Sequence, residues 1–281
     1  MLAQLNLTVW AWIESFKDLK RRAVWAPFLW MVLIQSLVLL ALTEFYRPVF
    51  SWILVPILKG VGDVRMLHYP AFFSVLPAFY GRFDLVLDVF FGSLFFGTAY
   101  LVLFRVASRM PVGDAWNAGR RSYLVLLLLR LPLVLLVVLA SWGLPLLLGG
   151  KPGVGLEGKA LREARYGSFL IGVLGESLCL YAPLARLVAG RSLFGSFGDS
   201  LRLAARVPLA TMLVVLLPNL LQLPVAAAIR RSDTIITNLT PEVVAWLLFA
   251  GILVYTGVNY VVIGSAVRIF GARGAEKGAA S

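Results

Sequence analysis

The chain has 281 residues, 60% of them hydrophobic and only 14% charged, and its mean hydropathy is +0.88. A soluble domain carries about 25% charged residues, so this much apolar surface needs lipid to cover it, and no stretch is polar enough to form a water-facing core. The net charge of +12 lies in clusters that border apolar runs. That pattern belongs to cytoplasmic membrane flanks and anionic-lipid contact, and it excludes nucleic-acid binding as the reading.

The chain begins with a segment holding Glu14 and Asp18 before its first apolar run. It has no small-residue cleavage site, so the first run reads as an uncleaved anchor. A hydrocarbon core about 30 Å thick needs about 20 apolar helical residues. Six runs satisfy this, at 24–45, 85–104, 122–148, 166–190, 207–229 and 243–270. The expectation is an all-α polytopic protein with six transmembrane helices, forming one membrane domain over 1–281. Prolines inside these runs (Pro132, Pro145, Pro183, Pro218) are tolerable where neighbouring helices satisfy the freed carbonyls.

Residues 46–84 are the longest segment outside the runs, rich in aromatic residues and proline around Trp52, Tyr69, Phe72, Phe73 and Tyr80. They are expected to form one or two short helices lying in the outer interface. His68 is the only histidine and falls here, which rules out a histidine-pair metal site. The single cysteine, Cys179, sits in an apolar run and reads as packing.

With both termini placed in the cytoplasm, 15 of the 26 Lys and Arg residues fall on that side and 10 on the other, leaving Arg130 within a span. The positive-inside bias therefore predicts a bacterial inner-membrane protein with cytoplasmic termini.

Three segments preceding the odd spans share a pattern. They are Glu14-Ser15-Phe16-Lys17 ending at Arg21, Asp114-Ala115-Trp116-Asn117 ending at Arg121, and Asp199-Ser200-Leu201-Arg202 ending at Arg206. Each has an acid, a small residue, a large apolar residue, a polar residue three after the acid and an arginine seven after it. At helical spacing the acid, polar residue and arginine share one arc, so each segment is expected to be an interfacial amphipathic helix. The acid would sit near the helix start, with Asp114 and Asp199 capping it, and the arginine would reach lipid phosphates. The pattern divides the chain into three units, about 8–104, 112–190 and 196–270. This pattern resembles the membrane domain attached to some bacterial glycerophosphodiester phosphodiesterases and related six-helix inner-membrane families of unassigned function. The resemblance implies the fold. It does not carry the phosphodiesterase activity, because no catalytic domain accompanies it.

A few polar residues interrupt the runs. Arg130 lies about 12 Å into the third span at 1.5 Å per residue, where a charge costs several kcal/mol. Glu176 falls near the middle of the fourth span after Gly172 and Gly175, whose size lets another helix approach. An Arg130–Glu176 ion pair is expected. With Asn219 and Gln222 in the fifth span these residues form the candidate intramembrane site, while Asn259 reads as helix-to-helix glue. Asp84 and Asp88 read as caps near the outer interface. Ser93 with Gly97, and Ser168 with Gly172, mark tight helix contacts within or between chains.

Catalytic signatures are missing: there is no nucleophile elbow, Walker loop, H-E-x-x-H or paired-cysteine motif. No cofactor is expected. The first functional reading is a non-catalytic subunit that assists transport, envelope assembly or lipid handling, in contact with anionic lipid and other membrane proteins. The alternative is a stand-alone transporter of a small solute or lipid, with Arg130, Glu176, Asn219 and Gln222 facing a polar cavity.

Overall fold

The computed structural model describes residues 1–61, 68–147 and 158–279. Arg65, Lys151 and Glu157 lie outside them, as do the side chains of Lys59, Lys159, Arg162, Arg165, Arg273, Glu276 and Lys277, which entered the charge count. All regular structure among the described residues is helical. In chain order the helices are α1 (Leu2–Asp18), α2 (Arg22–Thr43), α3 (Pro48–Val61), α4 (Phe72–Leu87), a π-helical turn (Asp88–Gly92) and α5 (Ser93–Ala107). They continue with α6 (Ala115–Arg121), α7 (Tyr123–Leu147), α8 (Gly158–Cys179), α9 (Ala182–Leu187), α10 (Leu193–Arg206), α11 (Pro208–Leu220), α12 (Gln222–Ile229), α13 (Ser232–Asn238) and α14 (Glu242–Ala279).

Among the described residues six spans are long and apolar enough to cross a bilayer: Arg22–Thr43, Phe72–Ala107, Tyr123–Ser141, Tyr166–Leu187, Pro208–Ile229 and Glu242–Ala272. The protein is a multi-pass membrane protein. Span 2 differs most from expectation, because it begins at Phe72 rather than near residue 85 and absorbs about a third of the segment assigned to the outer interface. Pro77, Arg82 and Asp84 dilute the local hydropathy there. The helix persists because Phe72, Phe73, Leu76 and Phe79 pack with Leu39 and Leu42 of span 1, with Phe45 just beyond it, and with Val244, Leu248 and Ile252 of span 6. Only α3 remains as the short apolar helix foreseen for this segment, with Val49, Trp52 and Ile53 exposed.

The spans pack as a closed ring. Spans 1 and 2, 3 and 4, and 5 and 6 form hairpins, and contacts between 2 and 3, 4 and 5, and 6 and 1 join the hairpins end to end. Span 2 crosses the middle of the ring to touch span 6 as well, and its residues Phe95 to Leu103 are almost wholly buried. The odd spans turn leucines outward, such as Leu29, Leu33 and Leu37 in span 1 and Leu124, Leu128 and Leu135 in span 3. These are the surfaces for lipid chains.

The short helices α1, α6 and α10 each precede an odd span and, two crossings apart, form a collar at one end of the ring. Helix α1 docks on span 6, α6 on span 2, and α10 on the end of span 4. In each case the residue following the patterned acid is buried: Ser15, Ala115 and Ser200. The Ser15 carbonyl accepts a 2.5 Å hydrogen bond from the Tyr260 hydroxyl, and a Cβ at Gly264 would lie 2.8 Å from Ser15 Oγ. Ser200 Oγ donates to the Leu178 carbonyl (2.6 Å) and accepts from the Tyr181 amide (3.1 Å), which satisfies backbone groups left free where Pro183 breaks span 4.

Two details of the collar correct the expected caps. Glu14 lies in the last turns of α1 rather than near its start, where Lys17 binds it at 2.6 Å and holds its carboxyl below the usual carboxylate range. Asp199 is in the middle of α10, bound to Arg191 (2.9 Å) and Arg202 (3.6 Å); Ser192 caps that helix by accepting from the Gly195 amide. Asp114 occupies the N-cap position of α6 without a side-chain capping bond. Sequence spacing found the ends of α6 and α10, whose terminal residues are Arg121 and Arg206, but α1 ends at Asp18 and Arg21 is instead the N-cap of α2. The patterned acid marks the start of α6 alone; α1 and α10 start well upstream of theirs, at Leu2 and Leu193. Asn117 is exposed on α6.

If α1 is seated through Ser15 on Gly264, then Gly264→Leu should overpack that contact and cost about 1–3 kcal/mol, measured as a lowered Tm in detergent and faster proteolysis of residues 1–20. Gly257→Leu, where a Cβ meets nothing within 4 Å, should leave both unchanged.

Candidate functional site

Arg130 enters the ring from span 3 and finds its partner on span 2. Its Nη2 donates to Asp88 Oδ1 (2.6 Å) and Oδ2 (2.7 Å), and its Nε donates to Oδ2 (3.2 Å). The Tyr255 hydroxyl of span 6 donates to Asp88 Oδ1 at 2.5 Å, and the Phe96 ring centroid lies 5.3 Å from the guanidinium carbon. A charge in hydrocarbon is tolerable only when paired, and multidentate charge-assisted hydrogen bonds are the strongest pairing available. The π-helical turn that begins at Asp88 is a distortion common at functional sites. Gly92 in that turn leaves the pair its space, since a Cβ there would lie 2.8 Å from Asp88 Oδ1 and 3.4 Å from Arg130 Cζ.

The expected Arg130–Glu176 ion pair is therefore replaced by Arg130–Asp88. Helix length is the reason: once span 2 begins at Phe72, Asp88 is far from either end of the helix and cannot cap it. Glu176 instead accepts from Asn219 Nδ2 (3.2 Å), and Gln222 Nε2 donates to Asn219 Oδ1 (2.8 Å). Asp84, one turn before Asp88, accepts from Gln35 Nε2 (2.6 Å) and from the Tyr80 hydroxyl (3.4 Å).

All four residues proposed from sequence come together. Arg130, Glu176, Asn219 and Gln222, with Asp88, Tyr255 and Asn259, line one cavity of about 310 Å³ bounded by spans 2 to 6. A second cavity of about 310 Å³, toward the end away from the collar, shares Gln222 and Tyr255 with it and contains Asp84 and Arg230. A third of about 90 Å³, toward the collar, shares Arg130, Leu133, Glu176 and Asn259 and contains Cys179. The three follow one another through the ring, divided by the polar side chains they share.

The glycines and serines marked in sequence make contacts within the chain. A Cβ at Gly172 would touch Val137, Gly175 faces Leu133 and Leu136, and Ser168 Oγ donates to the Ala140 carbonyl (3.2 Å). Gly97 faces Leu126. Asp88, Tyr255 and Gln35 were missed as site residues. Asp88 carried a signal, an acid four residues after Asp84 on one helical face, but it was placed at a helix start. Tyr255 and Gln35 carry none, because an isolated tyrosine or glutamine in a span is ordinary.

Compared with family models, curated proteins and solved structures, the chain matches none of them. The geometry alone therefore bears on function.

Arg130→Ala, which strands Asp88, and Asp88→Ala, which strands Arg130, should each cost about 3–5 kcal/mol, as for any buried pair broken from one side. A double-mutant cycle in detergent should give a larger coupling for Arg130 with Asp88 than for Arg130 with Glu176. The reverse order would contradict the pairing.

Proposed function

We propose that this protein is a transporter in its own right, which binds a small polar solute or the polar end of a lipid at the Asp88–Arg130–Glu176 cavity midway through the bilayer. The observation that carries this reading is the convergence of polar side chains from five spans on one cavity, in place of a dry core or a lipid-facing surface. Intramembrane charges mark substrate and ion pathways, and an auxiliary subunit has no need of a charged cavity in its centre. The cavities in series on either side supply room for a route. Asn219 and Gln222 form a hydrogen-bonded arm from Glu176 to the cavity away from the collar, so they are suited to pass a ligand between the two.

The same reading includes the orientation and the repeat. The collar faces the cytoplasm of a bacterial inner membrane, because the excess of Lys and Arg lies at that end. The chain arose from three copies of a unit made of one interfacial helix and two spans. The support is cyclic packing: each collar helix docks on the second span of the preceding unit, and α1 closes the ring on the last. Repeats of this sort are a common basis of transporter folds.

Reconstituted alone into liposomes, the protein should move at least one solute from a panel of amino acids, polyamines and organic acids. Glu176→Gln and Asn219→Ala should each lower that flux at least about tenfold, the effect of losing about 1.4 kcal/mol of binding, while eluting as wild type does. Flux no greater than from empty liposomes, or flux only with a second polypeptide, would return the protein to an auxiliary role.

A further inference from the structure

A separate groove of about 400 Å³ opens between spans 1 and 6 at the end away from the collar. Its rim holds two carboxylates, Glu44 at the end of span 1 and Glu242 at the start of span 6, with the rings of Tyr46, Tyr69 and Trp246 around them. Those three rings are about two-thirds exposed, at 66%, 68% and 69%. The Tyr69 hydroxyl donates to Glu242 Oε1 at 3.3 Å, and Arg47 is held on Glu44 beside the rim. Below the rim the walls are apolar, with Leu39, Leu40 and Phe249. Ser36 also lines the groove, and its buried Oγ has no hydrogen-bond partner among the described residues.

A helix dipole accounts for one acid at Glu242, in the first turn of α14. It does not account for the rings of Tyr46, Tyr69 and Trp246 that line the groove beside that acid, or for the apolar trough that opens from it. Carboxylate and aromatic faces together are a recognition site for an organic cation, and the trough between two membrane helices gives that cation an apolar tail. We propose that the groove binds a zwitterionic phospholipid carrying a primary ammonium, drawn from the bilayer. Glu242 accepts the ammonium hydrogen bonds, Tyr69 and Trp246 cover its charge, and Arg47 binds the phosphate. One acyl chain lies along Leu39, Leu40 and Phe249. Ser36, eight residues along span 1 from Glu44 and so about 12 Å deeper, lies past these residues at the bottom of the trough. A quaternary ammonium would keep the aromatic contact but lose the hydrogen bonds to Glu242, and a purely anionic headgroup would meet two carboxylates.

The test is native mass spectrometry of the full chain in detergent with phosphatidylethanolamine, phosphatidylcholine and phosphatidylglycerol of matched acyl chains. Phosphatidylethanolamine should be retained about tenfold more strongly than either other lipid, and Glu242→Gln should remove most of that preference. Trp246→Leu, which keeps the apolar wall, should weaken retention several-fold and provides a second variant if Glu242→Gln elutes abnormally. Asn117→Ala, on the exposed face of α6 at the other end of the molecule, should leave retention unchanged, and the transport reading stands or falls on liposome flux, a separate measurement. Equal retention of the three lipids, tight phosphatidylcholine binding or full retention by both groove variants would overturn the proposal. Displacement by free phosphoethanolamine at equal concentration would also overturn it, by making the groove a solute site.

Discussion

The arrangement of this protein depends on one electrostatic constraint: a guanidinium placed deep in a bilayer must be neutralised where it stands. Arg130 is mostly buried among the spans, and a charge in that position is stabilised by bringing an acid to it. Asp88 meets that demand from a π-helical turn, with Gly92 clearing the space and Tyr255 adding a hydrogen bond from span 6. Spans 2, 3 and 6 are thereby fixed to one another at mid-membrane. The cavity beside the pair exists because side chains committed to ion pairing and hydrogen bonding cannot also fill the space as leucines would.

The collar fixes the ring at one end by a different means. Small residues let helices lie close where no hydrophobic driving force separates protein from lipid, and Ser15, Ala115 and Ser200 supply those contacts. Gln4 extends the same logic, since its Oε1 accepts from the amides of Leu209 (2.9 Å) and Ala210 (3.3 Å) at the start of span 5. Asp18 of α1 and Arg268 of span 6 form a further ion pair that is largely buried. Helix α1 thus joins spans 5 and 6 at the collar end, while Tyr255 joins span 6 to the central pair. The collar end and the central pair are therefore held by one helix, α14.

The groove between spans 1 and 6 lies at the opposite end and shares no residue with the central cavity. The two are chemically unlike. The central cavity presents Asp88 and Glu176 against Arg130, with amides around them, whereas the groove is an aromatic and acidic rim over an apolar trough. A bound lipid there would brace span 1 against span 6, where the last span closes the ring on the first.

Sequence alone determined that the chain crosses the bilayer six times, because the cost of leaving apolar runs in water and the thickness of hydrocarbon act on each run locally. It also picked out Arg130, Glu176, Asn219 and Gln222, which line one cavity, since polar groups in hydrocarbon have few places to go except toward each other. Tertiary structure decided the partners. Asp88 rather than Glu176 pairs with Arg130 because span 2 is extended by packing of Phe72, Leu76 and Phe79 against spans 1 and 6, a long-range contact that no local hydropathy window records. It also decided that the small residue of each collar pattern is the docking point. Which face of a short helix is buried depends on what lies opposite, and here that is a span from another part of the chain.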